Sequence, residues 1–509
     1  MQASDLCGKV FAMFRTFGMS RIGPASTLVL GLALGGCATT DEGAPAALSG
    51  AAISRTALDT KDASVGDREH PRLVQGFGGI YRHAKLEAIL NEVVMGLVPA
   101  SERPDQRYQV TILNSPSVNA FALPGGYLYV TRGLLALAND ESEVAAVLAH
   151  EMAHVTSRHA AQREERAANA ETASRVMSKI MKDERAGAVS LAASKVSLAG
   201  FSRHQELQAD AIGIATIAGA GYDPMASSRF LVSMNRQFEL DQAKSSNGKD
   251  QNFLATHPST PERIERAAQI ARQTPRPVAA RQRSGRESYL AALNGIIYGD
   301  GSREGYARGR RFVHTELGLA FEAPEGFVLE NTSRAVFGAG KNGEALRFDG
   351  AKVTGNSKPV ELITSGWIEG ATVTDVRTLT IGGLPAATAL ARTDEWTFRL
   401  GAIRNGQMIY RFVLGTKSFT PEIDREFLDA IKSFRTTTGD VSGGARPLKV
   451  RVVRVEAGDT VSSLARKMVV DGGDRKKRFL VLNGLRAGER LTPGSLVKII
   501  TDGPVREGA

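Results

Sequence analysis

The sequence contains little cysteine, few aromatic residues and no long hydrophobic run beyond its first 36 residues. No later segment is therefore apolar enough over a sufficient length for a transmembrane helix. Aromatic residues make up 6% of the chain, the basic residues are scattered, and no nucleic-acid-binding motif is present. Nucleic acid is thus not expected as a partner, despite a formal net charge of +10. The positive charge favours anionic surfaces such as lipid headgroups or cell-wall polymers.

The two cysteines, Cys7 and Cys37, both lie near the start of the chain. Basic residues, an apolar run and then small residues precede Cys37, and this order predicts a secretory signal peptide over residues 1–36. The segment LGGC resembles the bacterial lipobox, in which the cysteine is lipidated and becomes the first mature residue. Cleavage near a buried cysteine is the alternative, but lipidation explains a single thiol in an oxidising compartment. We therefore expect a lipid-anchored protein of the bacterial periplasm, and Ala38 after the cysteine favours the outer membrane.

Three of only eight histidines lie within the thirteen residues VLAHEMAHVTSRH. His150 and His154 are four residues apart, so an α-helix places both on one face with Glu151 beside them. The pattern His-Glu-x-x-His supplies two imidazoles for one cation and a carboxylate as general base. Upstream, Asp140 and Glu143 predict a capping box at the start of this helix. A core helix with histidines bonded to other groups is the alternative, although a chance match is only about one per cent.

A second segment, SRHQELQADAIG, offers a third ligand for the cation. Glu206 and Asp210 are again four residues apart, so Glu206 can bind the metal while Asp210 accepts a hydrogen bond from the outer nitrogen of a ligand histidine. A solvated charged face is the alternative. The apolar residues that follow indicate a buried helix, in which paired carboxylates need a cation or hydrogen-bond partners. His159, five residues after His154, is assigned a structural role only.

Together these residues resemble the gluzincin metallopeptidases of the HtpX-like and BepA-like group, which also includes the CAAX prenyl proteases. The resemblance covers about residues 76–275 and includes the segments VNAFALPGGYLYVTRGLL, AGYDP and ATHPSTPERI. It implies one Zn²⁺ per chain, bound by His150, His154 and Glu206, with Glu151 activating water. The tandem helical repeats that BepA-like proteins carry behind the peptidase are not found in this sequence, so their mode of partner recognition does not carry over.

Two further parts of the resemblance concern substrate and regulation. The FALPGGYLYVT segment predicts a β-hairpin, and in the resembled family this hairpin lies beside the active-site helix, where an extended substrate adds as a strand. Asn119 and Phe121 are candidates for substrate contact, or ordinary sheet residues. His257, in ATHPSTPER, is a surface-loop histidine or, as the resemblance implies, a residue near the metal. There it would cap the zinc in a resting state or stabilise the oxyanion during catalysis.

The C-terminal segment resembles a LysM module. The matching features are the Gly-Asp-Thr at 458–460 that opens a helix, the LNGL that closes a second helix, and the Pro-Gly before the last strand. The resemblance implies a strand-helix-helix-strand fold that binds N-acetylglucosamine polymers, hence peptidoglycan. A module that only mediates packing is the alternative. On the first interpretation, deleting the module should weaken binding to peptidoglycan and leave peptide cleavage intact.

We therefore predict a multidomain α+β protein. It combines a mainly helical gluzincin metallopeptidase domain with a small edge sheet, a small α+β domain, and a βααβ LysM-like module. The predicted boundaries are a signal peptide at 1–36, a flexible tether at 37–75, the metallopeptidase domain at 76–275, a linker with a short helix at 276–304, the small α+β domain at 305–437, a linker at 438–447 and the LysM-like module at 448–502.

The predicted function is zinc-dependent endopeptidase activity in the periplasm. The expected substrates are unfolded or misassembled envelope proteins, and the expected contacts are outer-membrane lipid through Cys37 and peptidoglycan through the C-terminal module. A non-proteolytic chaperone, a peptidoglycan-bound tether and an enzyme that cuts peptidoglycan crosslinks are the alternatives. Glu151 argues for the peptidase, because a binding module has no need of a general base.

Overall fold

The computed structural model describes residues 60–163, 165, 201–242, 253–275, 285–437 and 447–503, except 302, 333, 334, 354, 356, 369 and 471–473. Within these ranges, no helix combines the length and hydropathy needed to cross a membrane. The predicted signal peptide, Cys37, the first part of the tether and nearly all of the second linker lie outside the described residues.

The chain from residue 60 to residue 298 is mainly helical. Its helices are α1 (Thr60–Gly76), α2 (Ala84–Leu97), α3 (Arg132–Leu137), α4 (Glu141–Thr156), α5 (Arg203–Gly219), α6 (Met225–Gln242), α7 (Phe253–Thr256), α8 (Pro261–Gln273) and α9 (Arg286–Leu293). Helix α4 lies at the centre, since every residue from Ser142 to His154 is buried. A helix that is buried all round, rather than along one stripe, places its polar side chains in the protein interior.

The start of α4 is fixed by side-chain hydrogen bonds. Asp140 is the N-cap residue, and its carboxylate accepts a bond from the backbone N–H of Glu143 at 2.9 Å. The carboxylate of Glu143 accepts from the N–H of Asn139, also at 2.9 Å, rather than from that of the cap residue. The predicted cap is therefore present, with its reciprocal bond made one residue earlier in the chain.

Helix α5 approaches α4 closely because of a glycine. A β-carbon built at Gly213 would lie 3.2 Å from the backbone nitrogen of His150, so a larger side chain would force the two helices apart. Glycine inside a helix costs about 1 kcal/mol relative to alanine. Here the absence of a side chain brings the first two turns of α5, which carry Glu206 and Asp210, against the histidines of α4.

A three-stranded sheet packs beside these helices. Its strands are β1 (Gln109–Leu113), β2 (Ala120–Leu123) and β3 (Tyr127–Thr131), in the order β1-β3-β2. Strands β2 and β3 form an antiparallel hairpin, and β1 pairs with β3 in parallel. The predicted hairpin is thus present, and β2 is the edge strand of this sheet.

Helix α1 lies where the sequence predicted a flexible tether at 37–75, so that prediction is wrong for the residues from 60 onward. The helix packs on the β2–β3 hairpin. The hydroxyl of Tyr127 donates to Asp67 at 2.6 Å, and the Nδ1 atom of His70 lies 2.6 Å from the hydroxyl of Tyr129. Tertiary contact therefore stabilises the helix, and weak hydrophobic periodicity in the sequence does not reveal such contact.

The described part of residues 305–437 contains two sheets and two helices. Its elements are β5 (Tyr306–Arg308), β6 (Arg311–His314), β7 (Leu319–Glu322), β8 (Val328–Asn331), β9 (Val336–Ala339), β10 (Ala345–Lys352), α10 (Pro359–Thr364), β11 (Thr372–Ile381), β12 (Leu384–Arg392), β13 (Thr397–Asn405), β14 (Met408–Thr416), α11 (Pro421–Lys432) and β15 (Arg435–Thr436). The seven-stranded sheet has the order β11-β12-β13-β14-β10-β9-β8 and the four-stranded sheet β15-β7-β6-β5. Two hydrophobic clusters, one including α11 and one including α10, give this domain cores of its own.

The C-terminal module has the predicted strand-helix-helix-strand order. It contains β16 (Leu448–Arg454), α12 (Val461–Arg466), α13 (Arg475–Leu482) and β17 (Leu496–Thr501), with β16 and β17 antiparallel. Some of its side chains form a separate cluster, but Val450 and Val481 belong to the same hydrophobic cluster as the helices around α4. The module is therefore packed against the helical part of the molecule that contains α4.

The segment predicted as a linker with a short helix at 276–304 is only partly a linker. Its short helix, α9, buries Tyr289, Leu290 and Leu293 completely in the core around α4. The strand that follows, β4 (Ile297–Tyr298), pairs with β16 of the C-terminal module. The α+β domain is consequently an insertion between two neighbouring strands of one sheet, in the order β17-β16-β4.

Candidate metal centre

Four potential metal ligands from three parts of the chain meet beside α4. His150 and His154 come from α4, Glu206 from the first turn of α5, and His257 from the residue after α7. One ligand atom from each lies within 4.8 Å of those from the others. All four side chains are buried, with relative exposures of 5% or less. The structure thus brings together the three ligands predicted from sequence and adds His257 to them.

The spacing of these atoms suits a tetrahedral ion. The Nε2 atoms of His150 and His154 are 3.0 Å apart, and His154 Nε2 lies 3.4 Å from Glu206 Oε1. His257 Nδ1 lies 3.0 Å from Glu206 Oε1 and 3.3 Å from His150 Nε2. Ligands at about 2.0–2.1 Å from a tetrahedral zinc ion are roughly 3.3 Å from one another. The nitrogen and carboxylate donors present therefore fit one Zn²⁺.

The outer nitrogens of the two α4 histidines have partners of their own. His150 Nδ1 lies 3.0 Å from Asp210 Oδ1, as predicted for a carboxylate behind a ligand histidine. His154 Nδ1 lies 2.9 Å from the Nδ1 atom of His159. These contacts orient both rings so that their Nε2 atoms face the cluster.

His159 has a position that helical spacing alone did not predict. Arg158, in the turn that follows α4, has a φ angle of 53°, in the left-handed region. The chain reverses there, and the His159 ring returns to that of His154 instead of projecting from another face of a continued helix. A left-handed arginine has no distinctive sequence signal, because glycine or asparagine is the usual residue at such a position.

Arg263, on α8, is a member of the site that the sequence did not reveal. Its guanidinium lies 2.5 Å from Glu206 and bonds to Asp210 at 2.6 and 2.9 Å, and the residue is 4% exposed. A buried cation compensates the two buried carboxylates. Although burial raises the pKa of Asp210, the bond from Arg263 lowers that pKa to about 2. The available signal was indirect: the carboxylates of Glu151, Glu206 and Asp210, all buried, carry one negative charge more than the two positive charges of a zinc ion.

Burial and hydrogen bonding set the protonation of the α4 side chains. Burial lowers the pKa of His154 to about 2, which keeps its imidazole neutral, the form that binds metal. Burial also lowers the pKa of His150, but hydrogen bonds to Asp210 and Glu206 raise it to about 9, so a metal ion must displace a proton there. Burial raises the pKa of Glu151, and a carboxylate with a raised pKa is a better proton acceptor.

The site is covered by aromatic side chains. The ring of Phe201 is 4.0 Å from that of His154, and the ring of Phe253 is 4.3 Å from that of His257. A hydrogen bond from the Phe201 N–H to the carbonyl of Thr256 joins the two parts of this cover. The potential ligands and Glu151 are all buried, and the rings of Phe201 and Phe253 lie against the histidines of the cluster.

The two predicted substrate contacts lie at different places. Asn119 is buried, and its backbone N–H and carbonyl are bonded to Thr131, next to the edge strand β2. Phe121 packs on Tyr129 and Phe77, with ring centroids 4.9 and 5.1 Å away. Alternate residues of β2 face the core around α4, so Phe121 lies on the opposite face of the sheet. This packing favours the alternative of an ordinary sheet residue for Phe121.

The helix-borne His-Glu-x-x-His pair, a downstream glutamate on a second helix and a buried acidic base define a metallopeptidase centre of the gluzincin class. Residues 82–271, less than half of the chain, are similar to Peptidase family M48. The matched range contains every residue of the metal centre described above.

Similar proteins include peptidases from mitochondria and from bacteria. The mitochondrial metalloendopeptidase OMA1 of Schizosaccharomyces pombe is 31% identical over 205 residues, which is 36% of this chain and 55% of that protein. The beta-barrel assembly-enhancing protease of Escherichia coli K12 is 29% identical over 243 residues, 46% of this chain and 48% of that protein. The protease of the same name from Yersinia pestis is 33% identical over 181 residues, 34% of this chain and 36% of that protein. The chain thus spans about half or less of the length of these relatives.

Proposed function

We propose that this protein is a zinc-dependent endopeptidase of the bacterial periplasm, anchored by lipid at Cys37 and acting on misfolded or misassembled envelope proteins. The observation that carries the proposal is the group of four buried donor atoms beside Glu151, a carboxylate outside that group. The names of the bacterial relatives support a role in the assembly of β-barrel proteins. The lipobox-like segment supports the anchor, and the LysM-like sequence supports contact with peptidoglycan.

In the proposed reaction each side chain of the site has a separate role. A bound zinc ion would polarise the substrate carbonyl and lower the pKa of a coordinated water. Glu151 accepts the proton of the attacking water and delivers it to the leaving amine. Asp210 and His159 hold the rings of His150 and His154 in place, which keeps the geometry rigid.

The substrate is proposed to bind as an extended strand. Strand β2 is the edge of its sheet and packs beside α4, so its free backbone groups offer hydrogen bonds to an added strand. The carbonyl of Val118, just before β2, accepts a bond from the N–H of Phe253, which belongs to the cover. Displacement of the segment around Phe253 would therefore break this bond at the end of β2 and uncover the metal centre at the same time. Binding of this kind selects unfolded chains, because folded proteins seldom present a free strand.

Digestion of an unfolded model protein tests the proposed activity. Purified protein should degrade casein, lose this activity with a zinc chelator, and regain it on addition of about one zinc ion per chain. The main alternative, a chaperone or peptidoglycan-bound tether without proteolysis, predicts prevention of aggregation with no new peptide termini. Absence of cleavage in zinc-loaded, folded protein whose cover has been loosened by mutation would contradict the proposal.

We expect His257→Ala to raise the basal rate of proteolysis. His257 Nδ1 is one of the four clustered donor atoms, which supports a role as a resting-state cap that must leave before substrate binds. Casein cleavage at fixed zinc content measures the effect. His204→Ala, at an exposed position of α5, provides the control. A fall in turnover of roughly 10²-fold or more would instead assign His257 to oxyanion stabilisation.

Cys37→Ala is expected to release the protein from membranes. The apolar run that ends at this cysteine motivates the prediction. Lipidation at Cys37 is the one membrane anchor that the sequence predicts. Membrane fractionation after metabolic labelling with a fatty acid measures the effect, with Cys7→Ala as the matched control. Label that persists in the Cys37 variant would show that the anchor lies elsewhere.

A further inference from the structure

Lys498 is a buried charged residue at the boundary between the C-terminal module and the peptidase part. It is 0% exposed, although lysine is rarely buried without partners. Its neighbours in β17, Val497 and Ile499, belong to the module's own hydrophobic cluster. The side chain of Lys498 itself reaches out of the module to α3.

The ammonium group of Lys498 is bonded to the end of α3. Its Nζ atom donates to the carbonyl oxygens of Ala136, Leu137 and Ala138 at 2.8, 3.0 and 2.7 Å. An ammonium has three protons to donate, and these carbonyls are the ones that a helix end leaves without partners. Another carbonyl of this turn, that of Leu135, accepts a hydrogen bond from the hydroxyl of Tyr289 at 2.6 Å. The end of α3 is thus completed by side chains from distant parts of the chain.

The same helix end leads directly into α4. Only Ala138, Asn139 and Asp140 separate the two helices, and Asp140 is the N-cap of α4. The carbonyl of Asn139 accepts from Arg286 at 3.0 Å, and its N–H donates to Glu143. The backbone N–H and carbonyl of Asn139 are therefore both hydrogen-bonded. The α3–α4 junction cannot shift without breaking bonds to α9 and to the C-terminal module.

Burial lowers the pKa of Lys498, and the charges around it act in both directions. Glu143 is buried beside the junction and attracts the ammonium, as does Asp140, whereas Arg286 opposes it. Burial lowers the pKa of Lys498, but three carbonyl acceptors favour an ammonium over a neutral amine, which has only two protons to donate.

Displacement of the α3–α4 junction would shift the metal ligands on α4. His150 lies ten residues beyond the N-cap, about 15 Å along a rigid helix at 1.5 Å per residue. Its partners, Glu206 and His257, are on other elements, so any movement of α4 relative to those elements would change the distances between the ligand atoms. Catalytic and metal sites require their groups to be held within about 0.5 Å of the productive geometry.

We propose that Lys498 is a positioning residue for the metal centre: by binding the end of α3, it lets the C-terminal module hold α4, and with it His150, Glu151 and His154, in register with Glu206. The consequence for turnover rests on the proposed peptidase function. The consequences for metal binding and for local stability do not depend on that function.

Lys498→Met tests this role, because methionine keeps most of the length of the side chain and removes the ammonium. We expect zinc affinity, measured by competition with a chromophoric chelator, to fall about 10-fold or more. Hydrogen exchange of metal-free protein should become faster for the amides of residues 138–150. If casein is cleaved, kcat should fall with little change in KM, since substrate binding at β2 is not affected.

The matched control is Phe479→Leu, which disturbs the module's own core on α13 and keeps the ammonium group of Lys498. Both variants are compared at a temperature at which both are folded. Lys498→Gln retains two donor protons on a shorter side chain, and it should give an intermediate loss of zinc affinity if the proposal is correct. This variant replaces Lys498→Met if the methionine variant does not fold. Zinc affinity and exchange equal to those of Phe479→Leu would overturn the proposal. Absence of cleavage by the wild type would contradict the peptidase function alone.

Discussion

Glu151→Gln is expected to abolish measurable peptide hydrolysis while leaving one zinc ion bound per chain. Glutamine keeps the size of the side chain but cannot accept a proton, whereas the cluster of His150, His154, Glu206 and His257 is unchanged. Loss of a positioned general base costs about 10²- to 10⁴-fold in rate. Casein cleavage and metal content by atomic emission measure the two halves of the prediction.

Glu265→Gln, at an exposed position of α8, is the control for the change of charge. It should retain the activity and zinc content of the wild type. Near-normal turnover by the Glu151 variant would remove that residue from the mechanism. Loss of zinc from the variant would instead place Glu151 among the metal ligands.

Deleting residues 448–509 is expected to prevent the peptidase part from folding stably. The sequence suggested a separable module whose loss spares cleavage, but Val450 and Val481 lie in the cluster around α4, and β4 loses its partner β16. Each large apolar side chain returned to water costs about 1.5–3 kcal/mol. A few of them equal the roughly 5–15 kcal/mol that stabilises a typical domain. Soluble yield, thermal unfolding and casein cleavage measure the outcome.

Deleting residues 305–437 is the matched control. The inserted domain has hydrophobic clusters of its own, and its two ends lead to the paired strands β4 and β16. The shortened chain can close this gap with the residues left between the two strands, so it should fold and cleave casein. A folded, active protein without residues 448–509 would show that the module is a separate unit after all.

Local patterns in the sequence picked out residues that the structure brings close together. The spacing of His150 and His154, and of Glu206 and Asp210, required only that two segments be helical, and the cap at Asp140 fixed where the first helix starts. The β2–β3 hairpin and the strand-helix-helix-strand order of the C-terminal module were also predictable, because turn residues and alternation are local signals.

The parts that were not predicted depend on contacts between distant residues. Arg263 and Lys498 look like ordinary surface cations in the sequence, yet the structure buries both against carboxylates or carbonyls from other elements. His159 reaches His154 through a left-handed arginine, which has no sequence signal. Helix α1 exists because the β2–β3 hairpin lies beneath it, so its own weak periodicity gave no indication of order.

The bond between Lys498 and the end of α3 has a consequence for the order in which the chain can fold. Lys498 and the carbonyl of Ala138 that it contacts are 360 residues apart in the chain. Contacts of such long range form late, since the intervening chain must be synthesised and its loop closed first. The helix that carries the metal ligands is therefore complete long before the strand that secures it. If α4 is held as proposed, its metal ligands should become aligned with Glu206 only when β17 has docked against α3.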